Sequence, residues 1–174
     1  MGILDLLKKL MPKGEPPPAM EPQCVRHKYL TIRLPVGWRF LSADPRKFEA
    51  SGPGGASAEF YISHVYEGRR LMKAEEVEQR REEIRKIHRM LLGSNSAQEE
   101  VLPGGALWME AGDTQGESQR LQIVVLNPKP RAAEIPSPPS VHVICKMPGA
   151  SAGGGFSAER FEALRAAVRS LEWN

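Results

Sequence analysis

Residues 120–126, RLQIVVL, form the most buried-looking strand of this chain. The run Ile123-Val-Val-Leu126 is continuously apolar, as a buried strand reads. Just upstream lies a second short strand, 106–111, with Leu107 and Trp108 on opposite faces, and GDTQG at 112–116 reads as the hairpin loop between the two. Downstream, VHVICKM at 141–147 alternates and reads as the last strand. The segment 127–140 between them holds five prolines and is expected as a long loop or an edge crossing, because proline cannot donate to a sheet ladder.

Working outward, EFYISHVY at 59–66 is rich in aromatic and β-branched residues and places Phe60, Ile62, His64 and Tyr66 on one face. Residues 25–34, VRHKYLTIRL, are read as one half-buried strand with Leu30, Ile32 and Leu34 turned inward. Pro35 and Gly37 break it, Trp38 and Phe40 follow at period two, and SGPGG at 51–55 is a turn. The longest helix is expected over 72–92. Its apolar stripe is Val77, Ile84, Ile87 and Leu91, with Ala74, Arg81 and His88 beside it. Glu76 with Arg80 and Glu82 with Lys86 are placed as i, i+4 pairs on the charged side. A final helix follows the loop MPGASAGGG. Ser157 is its expected N-cap, Phe156 with Phe161 its hydrophobic staple, and Phe161, Leu164, Val168 and Leu171 its buried line. Strands joined by short loops imply a mostly antiparallel sheet, and two amphipathic helices need that sheet as their hydrophobic partner. Both helices lie on one face or flank the sheet. The three tryptophans, Trp38, Trp108 and Trp173, fall in different elements and are expected to support the core.

The chain has 174 residues, long enough to fold without a disulfide or metal. Its 16 glycines and 15 prolines predict many loops. A net charge of +3 is small for a nucleic-acid binder, and the charges are segregated. Residues 23–47 carry Arg26, Lys28, Arg33, Arg39, Arg46 and Lys47 against Asp44 alone. Residues 94–118 carry Glu99, Glu100, Glu110, Asp113 and Glu117 with no base. Such blocks predict a dipolar surface or mutual contact, not a phosphate-tracking face. No nucleic-acid partner is expected.

No catalytic, cofactor or metal motif emerges. Cys24 and Cys145 match no CxxC pattern and read as reduced thiols. His27, His64, His88 and His142 are scattered without ligand spacing. An enzyme would have to draw on Glu59, His64, Glu110 and Asp113, which no motif links. His64 and Glu110 would meet only if their strands pair. His64 reads instead as a half-buried strand residue.

The N-terminus, MGILDLLKKLMPKG, is not a secretory signal, since Asp5, Lys8 and Lys9 interrupt it and no cleavage site follows. Leu6 stands where N-myristoylation wants Ser or Thr. No apolar run approaches the length of a membrane span. A cytoplasmic protein is expected. Ile3, Leu4, Leu7, Leu10 and Met11 make an apolar stripe at helical spacing, and KGEPPPAMEP at 13–22 is a Pro-rich spacer. Residues 1–22 therefore read as an amphipathic helix and spacer attached to a domain over 23–174. A helix this short is marginal in water, so the stripe must dock on its own domain, another copy, a partner or a lipid surface.

Two segments also carry a family resemblance. IRLPVGW at 32–38 resembles the Pro-x-Gly-Trp opening of the PsbP/Mog1-like superfamily, including the bacterial DcrB-like proteins. Phe161 to Trp173, ending in Ser170, Leu171 and Trp173, resembles that group's terminal helix. The resemblance spans about 24–174. It implies an α+β fold, an α/β/α sandwich around a twisted, mostly antiparallel sheet of about six strands. It also implies action by binding other proteins: photosystem accessory subunits, a small-GTPase regulator and chaperones of secreted effectors belong to the group. The group shares no catalytic motif. This chain departs from its exported members in lacking a signal or lipobox cysteine, and it adds the N-terminal stripe. The expectation is a non-catalytic interaction module, an adaptor or chaperone for an apolar segment of a protein partner, or a homo-oligomer, with no cofactor. The alternative is a peripheral membrane protein anchored by residues 2–11.

Overall fold

The computed structural model describes residues 21–63, 74–92, 98–127, 140–149 and 156–174. The expected helix and spacer over 1–22, with the contact residues Ile3, Leu4, Leu7, Leu10 and Met11, lie outside these but for their last two positions. The Pro-rich segment 128–139 lies outside them too.

The stretch 120–126 sits inside β8 (Ser118–Leu126), near the middle of a seven-stranded sheet. Its strand order is β3-β4-β5-β9-β8-β7-β6, with β3 Arg39–Asp44, β4 Lys47–Ser51, β5 Ser57–Ile62, β9 Ser140–Pro148, β7 Leu107–Gln115 and β6 Gln98–Val101. A three-stranded sheet is built from β1 Gln23–Arg26, β2 Leu30–Leu34 and β10 Glu172–Trp173, ordered β1-β2-β10. Every pairing is antiparallel. Two α-helices complete the described residues: α1 (Ala74–Leu91), between β5 and β6, and α2 (Glu162–Arg169), which follows a 3-10 turn over Ala158–Phe161. The class is α+β with mostly antiparallel sheet.

Period-two alternation in β8 splits the core. Leu121, Ile123 and Val125 face Trp108 of β7, Val141, Val143 and Cys145 of β9, and Phe161, Leu164 and Val168 of the C-terminal helical segment. This larger cluster also receives Leu30, Ile32 and Leu34 of β2 and the stacked rings of Phe48 and Phe60, 4.1 Å apart. Val124 and Leu126 point the other way, to Leu107, Met109 and Leu92 at the end of α1. Each buried Leu, Ile or Phe contributes about 1.5–3 kcal/mol, so the larger cluster dominates the stability of the sheet.

Several expectations change. Residues 25–34 are not one strand but a hairpin, β1 and β2, because His27 accepts a tight reversal through a bond from its backbone N–H to the Leu30 carbonyl. Tyr29, out of phase with the inward-facing Leu30, Ile32 and Leu34, is nevertheless buried at that turn. A second hairpin, β3–β4, turns at Asp44, whose carboxylate accepts from the N–H groups of Arg46 and Lys47. The segment 112–116 is not a loop: β7 runs through Gln115, and the reversal falls at Gly116, where φ is 60°. Gly112 is needed there for space, since a Cβ on it would lie 2.1 Å from the Phe156 ring. β9 is not the last strand, for β10 returns to pair with β2. Ser157 makes no side-chain cap; its N–H donates instead to Gln119 Oε1 at 3.2 Å. The Phe156–Phe161 staple forms, with stacked rings 5.4 Å apart. Trp38 and Trp108 are buried, and Trp173 packs half-buried against the larger core cluster.

Candidate functional site

Among the described residues, two places bring polar side chains together between a helix and the sheet. The first is a cleft of about 100 Å³ lined by Gln98, Glu99, Glu100, Trp108, Glu110, Arg165 and Arg169. Arg165 and Arg169 stand one turn apart on α2 and reach the carboxylates of β6 and β7. Glu110 is buried and accepts three bonds: from Trp108 Nε1–H at 2.9 Å, Arg165 Nε at 3.0 Å and Arg165 Nη2 at 2.7 Å. Arg165 also bonds Glu162 Oε2 at 3.0 Å. The Arg169 guanidinium lies 4.7 Å over the Trp108 ring and pairs with Glu100 at 2.5 Å. Glu110 and Glu100 are matched to Arg165 and Arg169, so the cleft works as a clasp between α2 and the sheet edge. Such a bidentate pair holds position; it offers no free base or acid.

The second is the seam between α1 and the sheet. Arg85, His88 and Leu92 recur at helical spacing and face the strands: Arg85 and Arg89 pair with Glu99 of β6, and Leu92 is buried. His88 meets His142 of β9 edge to face, with ring centroids 5.2 Å apart. His142 Nε2 is 3.2 Å from Gln122 Oε1, and His88 Nδ1 is buried with no hydrogen-bond partner. Burial, reinforced by the neighbouring His88, pushes the His142 imidazole down to about 4, and burial lowers His88 as well. Both rings are thus held neutral at pH 7. The consequence on the outer side is that Ile87, Met90 and Leu91 are 46%, 76% and 63% exposed. The sequence put Ile87 and Leu91 on the core stripe. The helix is turned so that Arg85 and His88 look inward and Ile87, Met90 and Leu91 look out. Val77 and Ile84 lie outside the side chains described. Val101 of β6, also largely exposed, lies on the strand that α1 grips through Glu99.

Of the residues that an enzyme would use, Glu59, Glu110 and Asp113 do not converge. Glu59 of β5 accepts from the Tyr61 hydroxyl at 3.0 Å and lies 3.6 Å from Lys47 Nζ. Asp113 pairs with Arg120 across β7 and β8. The order β5-β9-β8-β7 sets Glu59 and Glu110 three strand spacings apart, roughly 14 Å. His64 lies outside the described residues. Among the described residues no three His, Cys, Asp or Glu are grouped to hold a metal, and no helix is long and apolar enough to cross a membrane. Cys24 is exposed and Cys145 buried, both free, and burial raises the Cys145 thiol to about 12.

The chain matches no family model, no curated protein and no solved structure. Charge placement therefore carries what can be said of its surface. The acids of 94–118 do not meet the bases of 23–47. Glu99 binds Arg85 and Arg89, Glu100 binds Arg169, Glu110 binds Arg165 and Asp113 binds Arg120. In the basic segment Lys47 pairs with Glu49 and Glu59, while exposed Arg26, Arg33 and Arg46 form no ion pair with another described residue. The local basic excess is thus left at the surface. The signals missed in the sequence were His88 four residues before Leu92, which marks the inward face of α1, and His142 opposite it on an alternating strand.

Proposed function

We propose that this chain is a non-catalytic, cytoplasmic interaction module that binds an apolar segment of a protein partner through the outer face of α1. The observation that carries this reading is the exposure of Ile87, Met90 and Leu91 on a helix whose sheet-facing side holds an arginine and a histidine. Three large apolar side chains on adjacent turns cost solubility unless something covers them. A helix face of this kind suits helix-in-groove or groove-on-helix recognition, with anchors at i, i+3 and i+4. The polar cleft under α2 supports the same reading, since its charges are matched to one another. We read the layers as an α/β/α sandwich of the PsbP/Mog1-like type, whose DcrB-like members and effector chaperones act by binding proteins; IRLPVGW at 32–38 and the Ser170-Leu171-Trp173 ending support it. The partner is a protein or a second copy of this chain.

The test is a photo-crosslinker placed at Met90 and, as a control, at exposed Arg33, in cells of the source. The expected result is one recurrent adduct from Met90, lost when Ile87 and Leu91 become Asp, and no such adduct from Arg33. Equal adducts at both sites, or none at Met90, would remove the proposal. Size-exclusion with light scattering assigns the adduct to a second copy or to another protein.

A second reading, a peripheral membrane protein anchored by residues 2–11, draws on Arg26, Arg33 and Arg46 with exposed Val36, Phe40 and Leu41, close in sequence to the described start at Glu21. One short amphipathic helix binds weakly, and a basic surface is the second signal it would need. Flotation on anionic and neutral liposomes tests this with the full chain and with one starting at Gln23. Anionic-lipid-dependent flotation of the full chain alone supports it. Equal flotation of both chains ends it.

A further inference from the structure

We propose that the His88–His142 pair is an acid-sensitive latch that holds α1 on the sheet and lets it loosen when the imidazoles take up protons. The geometry carries this. The two rings stack edge to face at 5.2 Å across the helix–sheet seam, one on each element. His88 Nδ1 is sealed from water without a partner, so a proton added there has no acceptor in place. His142 Nε2 is already committed to Gln122. A second positive charge on the facing ring would then stand a few ångströms from the first, in a half-buried seam that screens them less than bulk water does.

The surrounding charges give no relief. On α1, Arg85 and Arg89 flank His88, and both are taken up by Glu99 of β6. On β5, Tyr61 lies 6.4 Å from the His142 ring and its hydroxyl donates to Glu59. On β4, Lys47 sits over the Tyr61 ring at 5.7 Å and adds positive charge. On β8, Gln122 is neutral, and Val124 and Leu126 are apolar. The carboxylates of Glu59 and Glu99 are thus engaged elsewhere, and no described carboxylate bonds either imidazole. The depressed affinity of both rings for protons agrees with this arrangement. Protonation is therefore paid for by undocking, in the way buried histidines bias a two-state element. The interior of the seven-stranded sheet carries no such pair, so the response is confined to α1. Its effect on partner binding rests on the reading of α1 given above, but the latch itself does not.

The test is hydrogen exchange of the full chain at pH 7.0 and 5.0, corrected for the intrinsic rate, comparing peptides of 74–92 with those of β8. The expected result is at least a tenfold loss of protection over 74–92 at pH 5.0, with β8 unchanged. In His142→Gln and His88→Gln that selective loss is reduced, and in the double variant it is absent. Uniform loss in α1 and β8, no loss, or a loss that persists in the double variant would overturn the latch. Should the variants not fold, proton NMR of the wild-type imidazoles decides: two rings titrating near 6.5 or above in the folded chain would refute it, and two well below would support it. Met90→Asp with Leu91→Asp separates this from the binding proposal, for it should abolish partner binding and leave the pH response of 74–92 intact.

Discussion

Replacing Glu110 with Ala tests whether the clasp under α2 is structural. Glu110 has 9% of its side chain exposed and Arg165 19%. Truncation removes two bonds from Arg165 and the carboxylate that accepts from the Trp108 indole N–H. Breaking a buried ion pair by deleting one partner costs about 3–5 kcal/mol. Arg165 keeps Glu162 at 3.0 Å, which places the expected loss at the lower end, about 3 kcal/mol. For a chain of this size, 1 kcal/mol moves Tm by roughly 2–4 °C, so Tm should fall by about 9 °C. Urea unfolding followed by circular dichroism measures the loss. The double variant Glu110→Met with Arg165→Met replaces the pair by packed apolar groups and should recover all but about 1 kcal/mol. A carboxylate kept for chemistry behaves oppositely, since removing it leaves stability unchanged or raised. If Glu110→Ala costs under about 1 kcal/mol, or the double variant loses the sum of the single losses, the clasp is not what joins α2 to the sheet.

Three further outcomes follow from named contacts. Gly112→Ala should cost about 2 kcal/mol or more by urea unfolding, because the new Cβ meets the Phe156 ring at 2.1 Å and that ring is held by Phe161; a loss under about 0.5 kcal/mol would show that Phe156 moves freely. Iodoacetamide at pH 8 should modify exposed Cys24 promptly and Cys145 only on unfolding, since burial raises its thiol to about 12; peptide mass spectrometry reads both sites. His142 is lowered from 6.5 to about 4, so the unfolded chain binds the proton first: its contribution is complete above pH 6.5, falls as pH drops, and levels off below about 4. The total is about 3 kcal/mol, and His142→Gln should flatten the urea midpoint between pH 7.0 and 4.5 by that part.

The strands with strict alternation were legible because one buried face leaves an unambiguous period of two. Leu30, Ile32 and Leu34 face the core as their spacing predicts, and Leu107 and Trp108 enter different clusters. The hairpin reversals were harder. His27-Lys28-Tyr29 carries no Gly or Pro, so its turn is fixed by tertiary contacts: Asn174 Nδ2 donates to the His27 carbonyl, and the His27 ring bonds the Asp44 carbonyl at 2.9 Å. GDTQG looks like a loop by composition, yet its first four residues pair with Leu121, Arg120, Gln119 and Ser118. There the cross-strand Asp113–Arg120 pair and the space required by Phe156 outweigh the turn preference of glycine. Strand β6, QEEV, has no apolar alternation to announce it, for its hold on the fold comes through Glu99 and Glu100 and the arginines of two helices.

The rotation of α1 is the instructive failure. A stripe of Ile87 and Leu91 is the natural core face if apolar burial alone decides. The alternative stripe, Arg85, His88 and Leu92, is one residue further round the helix. It wins because Glu99 takes both guanidiniums, because His88 finds an aromatic partner in His142, and because Leu92 fills a gap among Leu107, Met109, Val124 and Leu126. Ion pairs of this exposure contribute modestly, so they do not by themselves outweigh leaving Ile87, Met90 and Leu91 in water. A helix that gives up apolar burial for a histidine contact and two ion pairs departs from the consistency that folding alone favours. That departure sits on one element and coincides with the half-buried His88–His142 pair beneath it. The exposed strip and the latch beneath it are therefore two sides of a single choice in how α1 is seated, which is why Met90→Asp with Leu91→Asp and His142→Gln with His88→Gln divide the binding surface from its control.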